Sequence, residues 1–168
     1  MKRLFWSVML TGFVVGCTTT PPVEQADDNL PQSSSEPDSS SEAAQVTAVE
    51  ATSNSTGSYT FSVTISSPDT GCDNYANWWE VLSPDGTLIY RRILAHSHVD
   101  EQPFTRSGGP VAVEADQPII VRVHTHPSGY SPYAMTGLIG KSLAPETLSP
   151  TFAAELANAD PLPSGCAF

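Results

Sequence analysis

The chain has 168 residues, room for one domain, and sets 18 acids against 7 lysines and arginines for a formal net charge of −11. Such acidity repels phosphate backbones, so nucleic acid is excluded as a partner, and it suits an exported protein that has to stay soluble. Only three cysteines and four histidines are present, few enough to be placed one by one.

Lys2 and Arg3 give a positive start, an apolar run follows from Leu4 to Val15, and small Gly16 stands before Cys17. These are the parts of a signal peptide, and the run is too short for a bilayer span, which needs about 20 apolar residues. Val14-Val15-Gly16-Cys17 resembles the lipobox of bacterial lipoproteins. The resemblance implies removal of residues 1–16, thioether lipidation of Cys17 and attachment of the mature chain to a membrane through its acyl chains. It also implies an address in the cell envelope. Thr18 stands where an aspartate is associated with inner-membrane retention, which favours the outer membrane in a diderm bacterium. An ordinary secretory signal that happens to precede a cysteine is the competing reading.

Residues 17–56 read as the lipidated cysteine and a disordered tether. The stretch is Ser, Thr, Pro and acids, with Glu24, Asp27, Asp28, Glu36, Asp38, Glu42 and Glu50 and no base. A segment with so little apolar surface cannot offset its ordering entropy, and its like charges keep it extended. The folded domain is then residues 57–168, where five bases face eleven acids for a net charge of about −6. With Cys17 lipidated, Cys72 and Cys166 remain as one pair in a small exported domain, which reads as a disulfide. Metal ligation by these two cysteines is the weaker reading, since neither has a CxxC or Cys-x-His neighbour.

Within the domain, Tyr59–Ile65 alternates large apolar and hydroxyl residues, the period of a strand with one buried face. Trp78–Leu82 and Thr87–Val99 flank the turn Ser83-Pro84-Asp85-Gly86 and read as a hairpin; one of Trp78 and Trp79 belongs to the core. Residues Glu101–Pro110 read as a loop or irregular edge, Val111–Glu114 and Pro118–His126 as the last clear strands. Beyond Pro127 the pattern dissolves, apart from a helical candidate at Ser149–Ala159 with Ser149 as its cap. Short strands, turn signals and one disulfide predict an all-β fold, an antiparallel immunoglobulin- or fibronectin-like sandwich with a loop-rich C-terminal segment and at most one short helix. An open barrel is the alternative.

Every histidine falls in a His-x-His pair: His96 with His98, followed by Asp100, and His124 with His126. In a strand, residues two apart share a face, so each pair presents two imidazoles side by side, in phase with Arg92 and Arg122 respectively. Ile119, Val121 and Val123 on the opposite face read as core. Were the two strands neighbours, His96, His98, His124 and His126, with Asp100 as an added ligand or orienting partner, would form a site for copper or zinc. The competing reading is polar pairs that order loops.

His124-Thr125-His126-Pro127-Ser128-Gly129 is similar to the His-x-His-Pro core of JAMM/MPN metalloproteases and RadC-type proteins. The aspartate expected after Ser131 is missing, so that similarity carries no catalytic assignment, and no Gly-x-Ser-x-Gly elbow is present. Glu80, Asp100 and Glu101 read as solvated carboxylates, with Arg106 available to pair with Asp100 or Glu101. Two function classes follow: a lipid-anchored metal-binding protein, or an envelope interaction module that contacts another envelope protein. A metal-dependent hydrolase ranks last, so no catalytic residue is assigned.

Overall fold

A computed structural model describes residues 43–55 and 57–167. Eight strands form two antiparallel sheets: β1 (Gln45–Ser55), β2 (Ser58–Ser66), β3 (Tyr75–Leu82), β4 (Leu88–Ile93), β5 (Phe104–Val111), β6 (Pro118–His126), β7 (Gly129–Leu138) and β8 (Leu143–Thr147). One sheet has the order β1-β2-β5 and the other β4-β3-β6-β7-β8. The chain crosses from β4 to pair β5 with β2, a Greek-key connection, and the all-β sandwich expected from the strand pattern is formed.

The core lies between the sheets. Phe61, Val63 and Ile65 of β2 and Phe104 and Val111 of β5 meet Trp79, Val81, Ile119, Val121 and Val123 from the larger sheet. Period two on β2 and β6 therefore reads as it should. Gly108 on β5 lets the two sheets approach closely: a Cβ there would sit 2.7 Å from Tyr90 Oη and 2.9 Å from Trp79 Cζ2.

Several boundaries differ from the sequence reading. β1 lies inside residues 17–56, the stretch read as tether, so the folded domain starts at least as early as Ala44. A bulge between Val46 and Ala48 explains the miss: it moves the inward positions from buried Ala44 and Val46 to half-buried Val49 and Ala51, which erases the period. Thr87–Val99 is strand only as far as Ile93, and Glu101–Pro110 contains most of β5, an edge strand with a break in register, which is the second of its two readings. β7 and β8 were hidden by proline. Pro132 sits where the β6–β7 register breaks between the Arg122–Ala134 and His124–Tyr130 pairs, a position that needs no N–H.

The segment from Leu148 to Ala167 forms a third layer, a strap across the outer face of the five-stranded sheet. Leu148, Phe152 and Leu156 pack there on Leu82, Ile120 and Ala134. Its helix is a 3-10 turn at Ala154–Asn158 with Ala153 at its start, shorter than the Ser149–Ala159 candidate and without the expected Ser149 cap. Cys72 and Cys166 form the expected disulfide, with Cα atoms 5.6 Å apart. Beyond it, the Ala167 N–H donates to the Ala95 carbonyl.

Candidate functional site

β3 is buried along its whole length, on one face by the core and on the other by the strap. In the middle of it stands Glu80, a carboxylate with no exposure to solvent. Isolated burial of that charge is prohibitive, and two neighbouring strands supply its partners. Arg91 on β4 donates Nε at 2.9 Å and places Nη2 at 2.8 Å from one carboxylate oxygen; Arg122 on β6 donates Nε at 2.8 Å and places Nη2 at 2.7 Å from the other. Register explains the convergence, because Glu80 pairs with both Arg91 and Arg122 in the ladder.

The guanidinium N–H groups left over reach outward to the strap. Arg91 donates to the carbonyls of Leu156, Ala159 and Pro161, and Arg122 to those of Phe152 and Ala153. An irregular segment lying on a sheet has no ladder for its carbonyls, and here five of them are satisfied by two side chains. Tyr130 completes the cluster: its ring lies 3.5 Å below the Arg122 guanidinium and its hydroxyl donates to Glu80 at 3.3 Å. Burial first, and then the Glu80 charge, push the Tyr130 phenol up to about 12.

His124 belongs to the same face. Its ring stacks on Trp78 at 3.7 Å and 9°, while the Arg91 guanidinium lies 4.6 Å from the Trp78 ring. Burial, helped by the cations of Arg91 and Arg122 and then by His126, lowers the His124 imidazole to about 4. It is therefore neutral at ordinary pH, with Nδ1–H donating to the Asn77 amide oxygen at 2.7 Å. Trp78, Asn77, His124 and His126 line a cleft closed on its other side by Leu162, Pro163 and the disulfide. The polar-face assignment of His124 is thus corrected: in phase with Arg122 as expected, it is covered by the strap.

His96 and His98 lie elsewhere, in the loop after β4. His98 is buried and stacks on Phe104 at 3.8 Å and 11°, and His96 is exposed with its ring 4.6 Å away. The loop is held by Asp69, whose carboxylate accepts the N–H of His98 and of Ala76, each at 2.9 Å, and the Ser67 hydroxyl at 2.6 Å. Burial lowers His98 below its usual range, with Arg106 and His96 adding to it against Asp69 and Glu101. Arg106 makes a two-pronged pair with Glu101 at 2.7 and 3.1 Å, one of the two pairings the sequence offered.

The expected gathering of four imidazoles and Asp100 is not formed. β3 stands between β4 and β6, so the strands that carry the two pairs are not neighbours, and β4 ends before His96. Among the described residues, no three His, Cys, Asp or Glu side chains group as a metal cage. The hinge of the structure is instead Glu80, read from sequence as solvated. A signal was present: a glutamate inside the otherwise apolar run Trp78–Leu82 marks a strand buried on both faces, and such a charge requires cationic partners. Asp69 and Asn77 carried no comparable signal.

No family model and no solved structure matches the chain. A curated protein of Halomicrobium mukohataei described as "Putative lipoprotein" is 41% identical over 75 residues. The matched stretch is 45% of this chain and 37% of that protein, so the chain spans little more than a third of the relative's length. The chain is thus similar, over less than half of itself, to a protein described as a lipoprotein.

Proposed function

We propose that the chain is a lipid-anchored module of the cell envelope: Cys17 carries the acyl chains, an acidic stretch spaces the domain from the lipid, and the stapled sandwich meets another envelope component. In a diderm cell the outer membrane is the proposed address. The anchor rests on the Val14-Val15-Gly16-Cys17 lipobox, and the described relative supports it. The observation that favours a binding module over a hydrolase is how the buried polar groups are used. Glu80, Arg91, Arg122, Tyr130 and Asp69 are all committed to tying one part of the chain to another. A scaffold so organised presents a fixed outer surface.

The test is expression of the full chain and its Cys17→Ser variant in a bacterial host, followed by membrane fractionation and mass measurement of the N-terminal peptide. The wild type should partition with membranes and carry a diacylglyceryl mass on Cys17, and the variant should be soluble. An unlipidated Cys17 in a membrane-free wild type would sink the proposal.

A further inference from the structure

The first histidine pair is left without a role by the envelope-module reading, and its polar atoms have a peculiarity. Ser97 Oγ, His98 Nδ1 and His98 Nε2 are all buried and have no hydrogen-bond partner. Leaving a buried polar group without a partner is costly, and one imidazole here has two such atoms.

The ring is not loosely placed. Asp69 fixes the His98 N–H, Gln102 Nε2 donates to the His98 carbonyl at 3.0 Å, and Phe104 stacks on the ring face. The fold therefore holds the imidazole in position while leaving both nitrogens free. Asp69 Oδ2 lies 3.8 Å from Nδ1, beyond hydrogen-bond length but within a shift of about 1 Å of it. A carboxylate at one nitrogen of a histidine fixes the tautomer and leaves the other nitrogen as a bare lone pair, the usual arrangement behind a metal ligand. His96 supplies a second imidazole with its ring centroid 4.6 Å away. Two imidazoles on one tetrahedral ion, with metal–nitrogen bonds of about 2.0–2.1 Å, have centroids about 5 Å apart. The pair borders a groove whose other walls include Val99, Asp100, Glu101 and Ala167.

We propose that His96 and His98 together hold one Zn²⁺ or Cu²⁺ ion, with Asp69 orienting His98 and the remaining positions open to water or to a carboxylate of the groove. His124 and His126 take no part. His96, being exposed, is the ligand that admits the ion, and His98 is the ligand the fold presets. This goes beyond lipid anchorage and does not depend on it.

The test is calorimetric titration of the full chain, purified without a histidine tag, with zinc chloride and separately with copper chloride. One equivalent should bind the wild type. His96→Ala should weaken binding at least 10-fold, Asp69→Asn by about 10–100-fold, and His126→Ala not at all. Electron paramagnetic resonance of the copper form should show two coordinated nitrogens, and one in His96→Ala. Because His96 is exposed, its variant stays informative even where His98 or Asp69 substitutions fail to fold. A wild type that takes up neither ion at millimolar concentration overturns the proposal, as does binding that is not weakened in His96→Ala or is lost in His126→Ala.

Discussion

Replacing Glu80 by glutamine is the most direct challenge to the reading of the outer face. The amide is nearly isosteric with the carboxylate, so the shape of the site is preserved and the loss is electrostatic. The wild-type carboxylate makes four nitrogen contacts of 2.7–2.9 Å with two guanidinium groups, in a site closed to solvent. Removing one partner of a buried ion pair costs about 3–5 kcal/mol because the opposite charge stays uncompensated. Here two cations are left facing each other, which places the expected loss toward the upper end. Set against a total stability of about 5–15 kcal/mol for a domain, between about a third and nearly all of the margin goes. Urea unfolding followed by tryptophan emission reads it well, since Trp78 and Trp79 are both buried. At a slope of about 1–3 kcal/mol per molar urea, the midpoint should fall by about 2 M. The strap adds a second arm. Where buried ion pairs serve only each other, apolar replacement of the whole set is neutral or stabilising. In this domain Arg91 and Arg122 also satisfy five strap carbonyls, so the triple variant Glu80→Leu, Arg91→Met, Arg122→Met should still be clearly destabilised. A Glu80→Gln variant within about 1 kcal/mol of wild type, or a stabilised triple variant, would refute the argument.

Reduction of Cys72–Cys166, or Cys72→Ala with Cys166→Ala, opens a loop of 94 residues in sequence separation. Chain-entropy reasoning assigns such a loop about 4.7 kcal/mol, to be checked as a drop in urea midpoint with and without reductant. Acid should destabilise through His124: the unfolded chain binds a proton near pH 6.5, whereas the folded one resists until about 4. Stability is therefore whole above pH 6.5 and declines as pH falls toward 4, by about 2–3 kcal/mol from this group; His124→Gln should flatten the profile of unfolding free energy across that window. Gly108→Ala should cost about 1–3 kcal/mol in thermal or urea unfolding, because its Cβ would meet Tyr90 Oη and Trp79 Cζ2 inside 3 Å.

Legibility in the sequence followed regularity. β2 buries one parity of residues, and β6 turns Ile119, Val121 and Val123 to the core while the strap covers its other parity, so a period of two marked both strands and their core faces. The cysteine pair was fixed by elimination. Where the ladder is interrupted the pattern vanished, as at the Val46–Ala48 bulge of β1 and at Pro132 in β7. For the histidines, residue type and spacing placed His124 in phase with Arg122, but the partners of each pair depend on strand order. A crossover that inserts β3 between β4 and β6 leaves no trace in local composition. The covering of His124 was equally invisible, because the strap that buries it has no periodic structure and is held by carbonyls, which every residue possesses.

On the proposed lipid anchorage, the way β1 joins the sandwich governs how tension from the lipid side is received. Ala44 and Val46 are buried, and the Ser131 hydroxyl clasps the Ala44 carbonyl just ahead of the strand. A pull applied to β1 from its N-terminal end thus meets the Ala44–Ser131 contact, and behind it an edge strand paired rung by rung with β2 from Gln45–Ser66 onward. Drawn along its own length, such a strand engages many rungs at once instead of peeling them singly. The sandwich would transmit traction from the membrane as a rigid body, with β1 as its handle.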